Sequence, residues 1–599
     1  MSVRVSSIVA DHARVSIDEE RCAGCQECVI RCPTHALAID TERWIADADD
    51  ELCVGCRQCE RVCPYSAIAV TGPRIVAPRI DDAPLRPDPL DGDRRETRSG
   101  FAGWPEALRE AERCLACPDP TCMEGCPAHN DIPGFIAAVR QRDLVAAADV
   151  LSRSTMLPGV CSRVCDQSVQ CEGACSWALA GGQAVSIGRL ERFVADRGPE
   201  PRVQRASVEG AGLSVAIVGS GPAGQAAAWE LLAASARVTM LEKDAEPGGV
   251  LRWGIPSFTL PVAVRRGYLD ALVAAGLVVT TGRALGRDVA IDDLLAEHDA
   301  VILAHGAAMP LRLPVSGMDL PGVEDATACL ERAKPALESG GQPQGYPRGI
   351  RVLVLGGGNT AMDVARTLRR CGAEVTAVEW MDERFGRVRP DELADARAEG
   401  VDVRFTTTVD RLEGDAQGVR TAWLRRTVQR QSTKPPAVVP GAPEPLAIDR
   451  VVVALGYRVD RAVAGSVVDL PLRVDDRART FPDRRWIASG IPTGPALAVG
   501  TQALQREAGL AVAASAVHSG WWVRLWQREP RARSRADLWG QLWRRQEEAA
   551  AAEARAPRAE RVWVVGDALV GPATVVGAMA QGRAAARAVL HARPARTGG

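Results

Sequence analysis

Residues 213–244 read LSVAIVGSGPAGQAAAWELLAASARVTMLEKD, and this stretch decides the fold. An uninterrupted apolar run is a buried strand, and a glycine-rich turn, a helix and a second strand follow it. Gly219, Gly221 and Gly224 give G-x-G-x-x-G, which serves a tight turn, a close backbone approach to a pyrophosphate, and close helix packing. Pro222 and Ala223 lie within the same turn. Glu242 ends the second strand about 20 residues on, where an acid binds a ribose diol. The motif alone is weak evidence; strand, helix, second strand and acid in register make it a dinucleotide site.

A second unit of the same kind runs over 350–380, IRVLVLGGGNTAMDVARTLRRCGAEVTAVEW. Gly356, Gly358 and Ala361 form G-x-G-x-x-A, Asn359 and Thr360 open its helix, and Glu379 ends its second strand. Late in the chain, VWVVGDALVGPATVVGAMAQGRAAARAV (562–589) pairs a strand ending in Gly566-Asp567 with a helix opening near Gly571.

The chain has 599 residues, which suggests about three to five domains. A hydrophobic share of 46% with 25% charged residues is globular composition, and a net charge of −2 argues against a nucleic-acid surface. Lysine occurs at three positions only, Lys243, Lys334 and Lys434, so arginine supplies most of the positive charge. The first residues lack a signal-peptide apolar core, and no 18-residue apolar stretch is long enough for a bilayer. A cytoplasmic location is expected, with no membrane role. Disulfides are rare there, so the 18 cysteines need another use, and metal is the obvious one.

Sixteen of them fall into four sets of four, leaving Cys329 and Cys371 outside. Cys22, Cys25, Cys28, Cys32 and Cys53, Cys56, Cys59, Cys63 each follow C-x2-C-x2-C-x3-C-P. This is the bacterial two-cluster ferredoxin run, whose fourth cysteine ligates the other cluster. One [4Fe–4S] cluster is then expected on Cys22, Cys25, Cys28 and Cys63, the other on Cys53, Cys56, Cys59 and Cys32. Zinc also uses C-x2-C pairs and is the alternative. The third set, Cys114, Cys117, Cys122, Cys126, and the fourth, Cys161, Cys165, Cys171, Cys175, lack ferredoxin spacing. Between them 132–151 has helical periodicity. Spacing alone allows iron–sulfur or zinc in a helical domain.

Three segments, ERCLACPDPTCMEGCPAHNDIPGFI (112–136), RVCDQSVQCEGAC (163–175) and VSIGRLERFVAD (185–196), resemble the N-terminal iron–sulfur domain of the glutamate synthase small subunit. The same pattern occurs in dihydropyrimidine dehydrogenase and in the large subunit of NADH-dependent reduced ferredoxin:NADP oxidoreductase. The resemblance implies two further [4Fe–4S] clusters with interleaved ligands, four in the whole chain. Cys114, Cys117, Cys122 and Cys175 would hold one; Cys126, Cys165, Cys171 and Glu191 the other, with Cys161 a spare thiol. Without the resemblance Glu191 reads as a solvated helix residue. Asp166 stands where the family often has proline.

The order of the two nucleotide units resembles the two-dinucleotide-binding flavoproteins, with an FAD domain, an inserted nicotinamide domain and a return to the FAD domain. By that resemblance Asp567 binds the ribityl or phosphate region of FAD. Helix-start residues at Thr574 and Val575 face the flavin pyrimidine edge, where a helix dipole favours an anionic ring. GGVLRWGIPSFTLP (248–261), with Gly249 at its start, passes near the isoalloxazine. No C-x4-C follows it, so the chain is not expected to be a dithiol–disulfide reductase. NADP-binding members usually carry two arginines after the second strand. Here Glu379-Trp380-Met381 stands there, and a carboxylate repels a 2′-phosphate, which favours NAD(H) over NADP(H). Arg384, Arg387 and Arg389 lie near enough to rescue NADP.

The expected fold is multidomain α/β. A ferredoxin-like α+β module (1–72), a linker (73–103) and a helical iron–sulfur domain (104–205) precede the N-terminal half of the FAD domain (206–345). A Rossmann-like NAD(P) domain (346–462) is inserted there, and the C-terminal half of the FAD domain (463–599) follows it. A Trp-rich insertion at about 490–560 reads as a packed helix pair, a docking surface or a membrane-surface helix. Trp486 begins a copy of the segment at Trp563, offset by 77 residues; duplication and chance similarity both stand.

The expected function is electron transfer between a nicotinamide, FAD, the clusters and ferredoxin or a partner oxidoreductase subunit, such as a 2-oxoacid enzyme, in a hetero-oligomer. The alternatives are the electron-input subunit of a glutamate synthase and a non-catalytic iron–sulfur scaffold or sensor.

Overall fold

The computed structural model describes residues 13–72, 96, 97, 100–204, 207–431, 435–460, 472–474, 480–482, 561–570 and 574–591. Most of the stretch expected to be a linker, the Trp-rich insertion, the copy at Trp486 and Gly571 lie outside the described residues.

Strand Arg14–Ile17 pairs antiparallel with Ile68–Thr71, and Leu37–Asp40 with Ile45–Ala48. Each cysteine run loops into one short helix, Glu27–Ile30 or Gln58–Val62. The two runs repeat in conformation: Gln26 and Arg57 are left-handed, and so are His35 and Ser66. The amide of Ala36 donates to Cys32 Sγ at 3.2 Å, and that of Ala67 to Cys63 Sγ at 3.3 Å. The repeated spacing therefore dictates a repeated backbone, down to the bond on each run's last sulfur.

A helical region follows, from Trp104–Glu112 to Ile187–Arg197. The periodic stretch 132–151 is two helices, Ile132–Arg140 and Leu144–Ser152. The break is local chemistry: Arg142 is left-handed, and the Asp143 side chain accepts from the Ala146 amide to cap the second helix. Phe135, Ile136, Leu151, Leu190 and Phe193 form its buried core.

Two five-stranded parallel sheets come next. The first has the order Val562–Val564, Ala300–Leu303, Ser214–Val218, Arg237–Leu241, Val278–Thr280. The second has the order Val323–Asp325, Arg450–Val453, Arg351–Leu355, Glu374–Val378, Asp402–Arg404. The first sheet is closed by a strand from the far end of the chain, and the second is built wholly from residues between. Strand Thr407–Asp415, Gly418–Val428 and two short partners add an antiparallel sheet to the second unit. Helix Val575–His591 returns to pack on helix Pro222–Ala233, so closely that a Cβ at Gly582 would lie 2.0 Å from the Ala223 carbonyl oxygen.

Candidate functional site

The two glycine turns have one geometry. Gly219 (φ +105°) and Gly356 (φ +119°) sit where a Cβ would meet the Ala304 oxygen at 2.3 Å and the Ala454 oxygen at 2.4 Å. Each carbonyl follows the neighbouring parallel strand, so any other residue would push the turn off its sheet. Gly221 and Gly358 instead face open space, with nothing within 4 Å of an added Cβ. Each is the residue before a 12-residue helix, Pro222–Ala233 or Asn359–Arg370. Unpaired amides at a helix start beside an open glycine form a phosphate cradle.

The two acids also behave alike. Glu242 accepts from the Ser220 amide (3.2 Å) and hydroxyl, and from the Asp244 amide at 3.0 Å. Glu379 accepts from the Gly357 amide at 2.6 Å and the Met381 amide at 3.0 Å. Each carboxylate is thus fixed at the lip of its turn with acceptor capacity left for a diol. Asn359 Oδ1 accepts from the Arg389 amide at 2.9 Å, and Thr360 follows in the first helical turn. Arg384 is paired with Asp382 at 2.9 Å and Arg389 with Asp391 at 2.8 Å.

In the first unit Gly249 approaches the turn, its would-be Cβ 2.8 Å from Gly221 Cα. The segment it opens holds buried polar atoms without partners, Trp253 Nε1, Ser257 Oγ and Thr259 Oγ1, and so does His305, at both ring nitrogens; the His305 Cα lies 3.0 Å from a would-be Cβ at Gly219. Burial, slightly offset by Asp460, lowers the His305 pKa to about 4, so its imidazole is neutral. These orphaned donors and acceptors fit a large polar cofactor. Asp567 begins helix Asp567–Val570, and Thr574 Oγ1 accepts from the Gly577 amide at 3.2 Å, capping the helix that starts at Val575.

Two of the expected cysteine sets each line a hollow. One hollow is lined by Cys22, Cys25, Cys28 and Cys63, another by Cys114, Cys117, Cys122 and Cys175. Cys32 acts electrostatically on Cys53, Cys56 and Cys59. Glu191 acts on Cys126, Cys165 and Cys171, and the Cys161 thiol bonds Cys165. Burial pushes Cys28, Cys114 and Cys126 up to about 11, and Cys56 and Cys59 up to about 12. Burial, reinforced by Cys161, raises the Glu191 carboxyl well above its usual range. Buried thiols crowded together favour their protons, and a cationic centre reverses that preference. Among the described residues no three such side chains close on one point as a single ion requires.

Residues 213–486 match the family model for pyridine nucleotide-disulphide oxidoreductases. Residues 93–202 match dihydropyrimidine dehydrogenase domain II, 4Fe-4S cluster, and 15–70 a 4Fe-4S dicluster domain. Over 371 residues the chain is 34% identical to the glutamate synthase [NADPH] small chain of Escherichia coli (strain K12), spanning 59% of this chain and 77% of that one. The chain belongs to the glutamate synthase small-chain family. It is also 32% identical over 387 residues to the NAD-dependent dihydropyrimidine dehydrogenase subunit PreT of Escherichia coli O157:H7, covering 64% of this chain and 84% of that one. Mycobacterium tuberculosis FprA in complex with NADPH aligns over 63% of this chain and 84% of its own, at 19% identity and a TM-score of 0.42.

This member of the small-chain family is an oxidoreductase with 4Fe-4S domains and an FAD/NAD(P)-type nucleotide-binding domain. No described helix is long and apolar enough to cross a membrane. Three contributors were not legible in the sequence: Ser220, His305 and Lys334. Lys334 donates to the carbonyls of Arg252 and Ile255, holding the 248–261 segment from a helix about 80 residues away. A lone lysine in a sequence this poor in lysine was the only available signal.

Proposed function

We propose that the chain is an NADH-dependent flavin and iron–sulfur electron transferase with four [4Fe–4S] clusters, which delivers single electrons through its ferredoxin module to ferredoxin or a partner oxidoreductase subunit. When bound, FAD accepts a hydride and releases electrons singly, and the clusters carry them onward. The observation that carries this reading is the pair of four-cysteine hollows in a chain that also holds two open glycine cradles. The C-x2-C-x2-C-x3-C-P spacing of the first two sets favours a cubane over zinc. The ligand sets proposed are Cys22, Cys25, Cys28, Cys63; Cys32, Cys53, Cys56, Cys59; Cys114, Cys117, Cys122, Cys175; and Cys126, Cys165, Cys171, Glu191.

Gly221 with the helix behind it would hold the FAD pyrophosphate and Glu242 the ribose. Gly358 and Glu379 would hold the nicotinamide nucleotide. The preference for NADH is supported by Glu379 and by Arg384 and Arg389, whose guanidinium groups already have carboxylate partners. Cys25 is exposed, so an external one-electron acceptor approaches the wire at that end. The experiment is anaerobic titration of the reconstituted protein with NADH and NADPH, followed by absorbance; the reading expects both flavin and cluster bands to bleach, with NADH the better donor.

A further inference from the structure

The ferredoxin module meets the helical module at one defined place. Gln58, buried in its short helix, donates from Nε2 to the Asp119 carbonyl at 2.9 Å, and Arg31 pairs with the Asp119 carboxylate at 2.6 Å. Inside this polar rim Val54 and Cys56 join the helical module's own buried core, with Leu115, Cys175 and Trp177. Asp119 lies in the loop between Cys117 and Cys122, so the contact brings one ligand loop of each module together.

Arg61 stands at the same junction. Its Nη1 donates to the Cys56 carbonyl at 2.9 Å, its Nη2 is buried without a partner, and its charge acts on Cys56, Cys59 and Cys117. A guanidinium between two ligand loops stabilises an added electron on either side, and the low local dielectric makes that effect larger than at a surface.

We propose that the junction at Asp119, where a ligand loop of each module meets, is where single electrons cross between the helical and ferredoxin modules, with Arg61 as the positioning residue that raises the potentials of the centres on both sides. The inference rests on the four-cluster reading above. In the crossing, the centre held by Cys114, Cys117, Cys122 and Cys175 is oxidised by one electron and the centre held by Cys32, Cys53, Cys56 and Cys59 is reduced by one. No bond breaks and no proton moves. The nicotinamide supplies the electrons through the flavin, and a one-electron redox protein removes them at the Cys25 end.

The test uses full-length protein with its iron content verified. In a mediator titration with dithionite followed by EPR, Arg61→Gln makes two of the four centres harder to reduce. At a fixed potential their reduced-to-oxidised ratio falls about tenfold, equal to 59 mV for one electron. Arg61→Lys keeps most of the charge and most of the ratio. Asp119→Lys sets a cation against Arg31; after rapid mixing with NADH the ferredoxin-module signals then arrive at least tenfold later, while helical-module signals keep their wild-type rate. Unmoved midpoints in Arg61→Gln, or unchanged arrival in Asp119→Lys, would overturn the assignment. The dithionite arm needs no nicotinamide, so a wild-type protein that ignores NADH would sink the proposed function while leaving the junction still measurable.

Discussion

The Gly357 amide donates to Glu379 Oε2 at 2.6 Å, so the acid that ends one strand is locked to the middle of the neighbouring glycine turn. On the proposed function the fixed carboxylate would accept a ribose diol and repel a 2′-phosphate. Replacing it by serine removes the barrier and keeps a hydroxyl. Glu379→Ser should move the NADH-to-NADPH ratio of kcat/KM toward NADPH by roughly tenfold, about 1.4 kcal/mol. Steady-state rates with both coenzymes and an artificial acceptor read this out. An unchanged ratio would mean that Glu379 does not select the coenzyme.

The second nucleotide unit is stapled internally by charge. Arg366 and Arg370, both fully buried, meet Glu392, Asp395 and Glu399, and the Arg370 guanidinium stacks 4.0 Å over the Phe258 ring of the 248–261 segment. Removing one member leaves a buried charge uncompensated. Glu399→Ala should cost roughly 3–5 kcal/mol. Native-state hydrogen exchange of strand Glu374–Val378 measures that loss locally, which a whole-chain melt of a multidomain protein does not. Protection as in the wild type would show that the network adds nothing to stability.

How much of this was legible in sequence follows from which forces are local. The strand–turn–helix units were readable because glycine at φ above +100° and an acid about 20 residues later are local demands of one nucleotide. The break at Arg142 was missed because apolar periodicity continues through it, and only Asp143 hints at a new cap. The antiparallel sheet at 407–447 and the Arg366–Glu399 network come from pairing across distant segments, which periodicity does not encode. Gln58 meeting Asp119 is of that kind too: each ligand motif is plain, and their contact depends on how two modules dock.

Lys334 gives a pH signature. Burial, followed by the nearby charge of Arg252, lowers its pKa from the ordinary lysine value to about 7. Between about 7 and 10.5 the unfolded chain binds a proton that folded Lys334 has released, so this residue makes stability rise with pH across that window. Below the window the charged form is buried at full cost. Lys334→Met should flatten the slope by several kcal/mol over the window and lower stability least at neutral pH. Native-state hydrogen exchange of helix Ala326–Ser339 at pH 7, 8 and 9, corrected for intrinsic exchange, checks it; an identical slope in the variant would refute the assignment.

Glu191 is 7% exposed and sits beside Cys126, Cys165 and Cys171. As a ligand it should be needed for one centre alone. Glu191→Ala should lose about four of sixteen irons or change one EPR signal, while Glu191→Gln retains more. Full iron content with unaltered EPR in the alanine variant would remove Glu191 from the ligand set.

The central claim is that nicotinamide electrons reach the ferredoxin module. Its most direct test is anaerobic NADH addition to the reconstituted protein, with iron, flavin absorbance and EPR recorded on one sample. The account predicts about sixteen irons per chain, bleaching of the flavin, and two ferredoxin-module reduced-cluster signals, one altered or lost on Cys25→Ser and the other on Cys56→Ser. Contradiction would be a flavin that bleaches while every ferredoxin-module signal stays oxidised, or a protein that neither NADH nor NADPH reduces at all.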